Sequence, residues 1–180
     1  MPDQSIVSSQ YVYRGRVVDL RVDEIRLPNG GVHRREIVEH RGAVCIVALD
    51  ETGRVLLVRQ HRSPTGRELL EIPAGTLEPG EAPESCAGRE LAEETGYRPG
   101  RLERMLGFYS APGYCTEYLH LFLATELEEE RREGDEDEEI VVERVPIEEA
   151  IAAAARGDYE DAKTLVGLLA YALRRSSLRP

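Results

Sequence analysis

Three carboxylates, Glu90, Glu93 and Glu94, stand within little more than one helical turn in the stretch GRELAEETGY. At i, i+3 and i+4 they share one helix face, where like charges cost about 0.2–0.5 kcal/mol per pair. Such an arrangement is mildly unfavourable unless something cationic lies against it. Arg89 can reach Glu93 at i, i+4, but the segment offers Glu90 and Glu94 no basic residue at helical spacing. That leaves room for a metal ion, and carboxylate oxygens are the hard ligands that Mg²⁺ and Mn²⁺ prefer. A bland alternative is a solvated acidic helix face.

The elements around this stretch must position it. Pro83 suits a first helical turn and Gly96 a helix end, which predicts a helix of about 13 residues preceded by a loop. Upstream, AVCIVAL and RVLLVRQH read as buried strands separated by the turn DETG. Downstream, LERMLGFY and YLHLFLAT read as strands joined by SAPGYCTE, and IVVERV as another. PIEEAIAAAARG reads as a helix closed by Gly157, and a second helix follows with Leu165, Leu168, Leu169 and Ala172 at core-facing spacing. The first forty residues read as strands with hairpin-turn chemistry at LPNGG. They are polar for a core, so a small sheet there would need another surface, such as a second subunit.

Composition bounds the function. With 180 residues, 41% of them apolar and 32% charged, the chain has globular rather than disordered composition and suits one domain, or one domain with an appendage. A net charge of -11 argues against tracking nucleic-acid backbones. A small anionic substrate stays open if a cation or placed arginines mediate. Lys163 is the only lysine among the 23 Lys and Arg residues; guanidinium donates well to phosphate, and a genomic base bias explains the excess equally well. Three cysteines, Cys45, Cys86 and Cys115, fit neither a zinc spacing nor an even disulfide set, so reduced thiols and a cytoplasmic setting are expected. The first ten residues lack a basic start and an apolar stretch, and no run approaches the ~18 apolar residues of a membrane span.

The acidic stretch resembles the Nudix box, G-x5-E-x7-R-E-U-x-E-E-x-G-U with U apolar, at Gly75, Glu81, Arg89, Glu90, Leu91, Glu93, Glu94, Gly96 and Tyr97. Only Tyr97 departs, standing where an aliphatic residue is commoner. Other segments resemble the ADP-ribose pyrophosphatase branch: LLVRQHR before EIPAG, the β-rich N-terminal extension, Pro112 within SAPGYCTE, and DEDEEI before a final strand. The resemblance implies an α/β/α sandwich around a mixed β-sheet in residues 42–180, with a small N-terminal β subdomain in residues 1–41 that serves a homodimer. It implies Mg²⁺ or Mn²⁺ on Glu90, Glu93, Glu94 and the Ala74 carbonyl, Arg89 as an orienting residue, and a more structural Glu81. It further implies hydrolysis of the pyrophosphate bond of ADP-ribose to AMP and ribose 5-phosphate.

Roles elsewhere follow from position within that resemblance. Glu136, or next Glu138, would position water, although an unstructured charge run reads the same in composition. Arg62, and less strongly Arg59, would meet phosphates; an arginine at a strand end is the alternative. Glu71 would contact substrate or hold its loop. Pro112 would mark the substrate branch, or form a simple Pro-Gly turn. Tyr11 and Tyr13 would stack on adenine, or pack within a strand. A GDP-mannose or other nucleotide-sugar diphosphatase and a non-catalytic ADP-ribose sensor are the competing functions.

Overall fold

The computed structural model describes residues 5–130 and 140–177. These form two compact units: one of the described residues up to Gly42 with Phe108–Leu119, the other of Ala43–Gly107 with the described residues from His120 onward. The expected boundary after residue 41 therefore leaves out a return segment. Residues 108–119, which hold Pro112, group with the N-terminal strands.

In the first unit, β1 (Ser5–Arg14), β2 (Val18–Arg26) and β3 (Val32–His40) make an antiparallel three-stranded sheet. The chain turns between β1 and β2 where the Gly15 N–H donates to the Val18 carbonyl at 3.1 Å and to Asp19 Oδ1 at 3.1 Å. The LPNGG turn forms as read: Gly30 donates to the Leu27 carbonyl at 2.9 Å, and Leu27 to the Gly31 carbonyl at 2.8 Å. The return segment pairs with β3, with Val38 donating to Tyr114 at 2.8 Å and Thr116 donating to Val38 at 2.9 Å.

The second unit is built on β4 (Ala43–Leu49), β5 (Arg54–Arg62), β6 (Arg67–Glu71), β7 (Ala74–Thr76), β8 (Tyr97–Tyr109), β9 (Tyr118–Glu129) and β10 (Val141–Pro146). They form a seven-stranded mixed sheet of order β10-β5-β4-β9-β8, with β6 on β5 and β7 on β4. Two short strands, β6 and β7, occupy what reads in sequence as a connection. Their apolar runs are too short to announce themselves, and pairing with β5 and β4 decides them.

Side-chain alternation along β4 explains why helices cover both of its faces. Val44, Ile46 and Ala48 pack with Cys86, Ala87 and Leu91 of α1 (Pro83–Thr95), and with Leu56, Phe122 and Ala124. Val47 points the other way, toward Gly167 of α3 (Ala162–Ser177), where a Cβ would come within 3.2 Å of Val47 Cγ2 and 2.8 Å of Ile72 Cδ1. The third helix, α2 (Ile147–Arg156), packs on α3. The buried stripe of α3 is Thr164, Gly167 and Leu168, while Leu169 is exposed. The leucine spacing therefore misassigns part of this face, because close approach at a glycine sets the helix rotation. Among the described residues no helix is long and apolar enough to cross a membrane.

Candidate active site

The predicted 13-residue helix spans Pro83–Thr95, with Pro83 in its first turn and the Gly96 N–H donating to the Ala92 carbonyl at 3.0 Å. Its acidic face closes on β7, which pairs with β4 at Cys45↔Ala74 and Val44↔Gly75. Glu94 Oε2 accepts the Ala74 N–H at 3.0 Å. The Glu90 carboxylate lies against the Cα of Gly75, where a Cβ would fall 1.8 Å from Glu90 Cδ. Only glycine at position 75 leaves that room. A local pattern, glycine followed by a glutamate fifteen positions on, is in physical terms a cradle for one carboxylate.

Arg89 is the hub. Its Nε and Nη2 each donate to Glu81 at 3.0 Å, and its Nη1 donates to Glu90 at 2.8 Å and Glu93 at 2.9 Å. Paired this way, the Glu81 carboxyl is held down at about 2, chiefly by the Arg89 hydrogen bonds. Glu81 also accepts the Glu78 N–H at 3.0 Å and so fixes the loop that enters the helix. Glu90 goes the opposite way. Burial raises it to about 7 against the pull of Arg89, with the neighbouring charges of Glu93 and Glu81 adding to the rise. Burial pushes the adjacent Cys86 thiol up to about 12, which makes it a neutral packing group.

Among the described residues no three His, Cys, Asp or Glu side chains already converge as a closed metal cage. Glu90 and Glu94 lean on Ala74 and Gly75, and Glu93 is drawn to Arg89. The donor chemistry nevertheless fits a hard divalent cation. The oxygens are carboxylates on one face, and the half-buried Glu90 shares the Arg89 guanidinium with Glu81 and Glu93.

The other predicted residues divide. Arg62 donates to both oxygens of Glu71, at 2.8 and 2.7 Å, and Lys163 also pairs with Glu71. Glu71 is 1% exposed, its carboxylate closed between these two cations. Burial alone would raise this carboxyl, but Arg62 and Lys163 outweigh it and the net shift is downward. Arg59 pairs with Glu143 at 2.6 Å on a partly exposed surface. In the first unit, Tyr11 donates to Glu39 at 2.7 Å and has the Arg14 guanidinium 4.0 Å over its ring. Tyr13 is exposed, and Pro112 sits in an exposed turn closed by Cys115 N–H on the Ala111 carbonyl at 2.9 Å. Glu136 and Glu138 lie outside the described residues.

Lys163, Asp161 and Thr164 were not among the predicted site residues. Their signal in the sequence is a helix start, with Asp161 as an N-cap that accepts the Thr164 N–H at 2.9 Å. Nothing local connects them to Glu71.

A carboxylate-bearing helix closed on a short strand, beneath a mixed sheet with helices on both faces, is the arrangement of NUDIX proteins. The NUDIX domain model matches residues 39–166, and this chain belongs to that family. Residues 6–38 match the nucleoside diphosphate sugar hydrolase N-terminal domain. The chain is 42% identical, over 98% of its length and 94% of the relative's, to the ADP-ribose pyrophosphatase of Bacillus subtilis (strain 168). It is 41% identical to the GDP-mannose pyrophosphatase of Pectobacterium atrosepticum, covering 86% of this chain and 85% of that protein. A crystal structure of an ADP compounds hydrolase shares the fold at a TM-score of 0.87, with 24% identity and coverage of 98% and 96% of the two chains.

Proposed function

We propose that the chain hydrolyses the pyrophosphate bond of ADP-ribose, giving AMP and ribose 5-phosphate. The observation that carries this reading is the α1 carboxylate face closed on Ala74 and Gly75, in a chain 42% identical to an ADP-ribose pyrophosphatase. Glu90, Glu93, Glu94 and the Ala74 carbonyl would hold the cation, Mg²⁺ or Mn²⁺. When bound, that ion polarises a phosphate oxygen and makes a water more acidic.

The chain's own residues do the positioning. Arg89 spans Glu81, Glu90 and Glu93, so the plane of its guanidinium fixes where two of the carboxylates point. Glu136 or Glu138 would orient the attacking water. Arg62 would meet phosphate with its guanidinium plane already set by two bonds to Glu71. Arg59 would exchange Glu143 for phosphate, at low cost for an ion pair in contact with solvent. Tyr11 and Tyr13 would stack on adenine, with the Arg14 side of the Tyr11 ring already covered, and Pro112 would mark the substrate branch. We infer a homodimer joined through the N-terminal sheet, residues 1–41 being that subdomain, to which residues 108–119 return, and the rest of residues 42–180 the hydrolase domain. A cytoplasmic setting accords with three free cysteines.

GDP-mannose is the second reading, favoured by the 41% identical relative named for that substrate. The test is AMP or GMP release from ADP-ribose, GDP-mannose, NADH and ATP with Mg²⁺, Mn²⁺ or EDTA. Metal-dependent preference for ADP-ribose supports the proposal. Preference for GDP-mannose replaces the substrate and keeps the site, and ADP-ribose binding without hydrolysis overturns the enzymatic reading.

A further inference from the structure

The sole lysine of the chain joins the start of α3 to the end of β6. Lys163, 13% exposed, bridges Glu71 and Asp161, the latter at 3.1 Å. Asp161 in turn caps α3: its Oδ2 accepts the Thr164 N–H at 2.9 Å and the Thr164 hydroxyl at 2.6 Å. The Thr164 Oγ, fully buried, accepts the Ile72 N–H at 2.9 Å. A continuous chain of polar contacts thus runs from the start of α3 to residues 71 and 72. Two residues on, the Ala74 N–H holds Glu94.

We propose that Lys163 and Thr164 are positioning residues for the metal-binding face, acting through the segment Glu71–Gly75. Each end of that segment is fixed by different chemistry. At one end Glu71 is gripped by two cations, Arg62 and Lys163, so its buried charge is compensated and its backbone cannot drift without uncovering that charge. In the middle, Ile72 has its side chain buried between α3 and the sheet and its N–H committed to Thr164. At the far end, Ala74 and Gly75 present the backbone that Glu94 and Glu90 lean on. Displacing residue 72 would shift that backbone along β7 and move both carboxylates from their seats. A compact ammonium reaches two carboxylates from the second position of a helix, whereas a planar guanidinium needs a wider slot. That accounts for a lysine here in a chain otherwise supplied with arginine.

This inference rests on the α1 face being the metal site, but it is tested apart from the choice of substrate. Thr164→Val keeps the shape and removes the acceptor for Ile72; Thr164→Ser restores it. Mn²⁺ affinity is read by electron paramagnetic resonance without substrate, alongside kcat and KM for ADP-ribose and the thermal midpoint. In T164V, Mn²⁺ affinity and kcat fall by about 10-fold while KM changes by less than about twofold, and T164S recovers both. Wild-type Mn²⁺ affinity in T164V overturns the proposal, as does loss of affinity that T164S fails to recover. Should T164V not fold, Lys163→Met and Lys163→Arg give the same readouts, and wild-type affinity in both overturns it. A wild-type protein inert toward ADP-ribose would remove the substrate reading, and the Mn²⁺ comparison would still decide this one.

Discussion

Strands β1 and β4 are both rich in β-branched residues, yet all seven residues of β4 are buried and all ten of β1 are exposed. In β4 successive side chains serve opposite helices, so every position is apolar and every position is covered. In β1 the apolar side chains Ile6, Val7, Val12 and Tyr13 face solvent, and the sheet is held by its ladder and by polar pairs such as Ser9 with Asp23 at 2.6 Å. One sheet is stabilised by what it encloses, the other by its hydrogen bonds and whatever covers it. The acid face of α1 follows from the first kind. The Glu90 carboxylate is half-buried against Gly75, on a strand that pairs with the enclosed β4.

Substitution at the carboxylate face sets the largest contrast with the N-terminal sheet. Glu94→Gln lowers the rate of AMP release by more than about 100-fold, beyond the usual effect of an outer partner, while circular dichroism stays that of the wild type. A variant that retains most of its activity would remove Glu94 from the metal site. Next, Arg89→Lys loses the fork that spans three carboxylates, and kcat falls by about 10- to 100-fold. Equal activity in R89K would show that charge alone, without the planar geometry, is sufficient.

The two strands themselves are separated by a pair of measurements. Ile46→Ala opens a cavity in the enclosed sheet and costs about 2–5 kcal/mol in urea unfolding. Val12→Asp, on the exposed strand, costs little in the single chain and instead lowers the mass measured by light scattering from dimer to monomer. An unchanged mass would leave the β1 face without the proposed partner.

The smallest effect is in pH. The folded Glu81 carboxyl stands at about 2, below its ordinary 4.5, so the charged form is favoured by folding. The stabilisation from this group is complete above pH 4.5 and is lost as pH falls toward 2. Thermal midpoints of the wild type and Glu81→Gln therefore converge on acidification across that window. A difference that grows as pH falls would reverse the sign and remove the Arg89 pairing as its source.

Much of the scaffold was legible because it is local. Helix α1 is bounded by Pro83 and Gly96, the β2–β3 turn by Asn29 and Gly30, and both are set by backbone preference within a few residues. The i, i+3, i+4 spacing likewise puts Glu90, Glu93 and Glu94 on one face without reference to anything else. The short strands β6 and β7 were not legible, since pairing rather than propensity makes them. Nor was the buried face of α3, where Gly167 rather than a leucine meets the sheet.

By itself the sequence determined the box, its helix and the charge problem that the helix poses, because those depend on spacing along one element. Tertiary structure alone decided how the problem is handled: Glu90 seated on Gly75, Glu94 on the Ala74 N–H, and Glu71 closed between Arg62 and Lys163. Glu71 and Lys163 are 92 residues apart, as are Ile72 and Thr164. No local periodicity records such a pair; it exists only because burial on both faces of one sheet brings the start of α3 to the end of β6 and makes an uncompensated charge there costly.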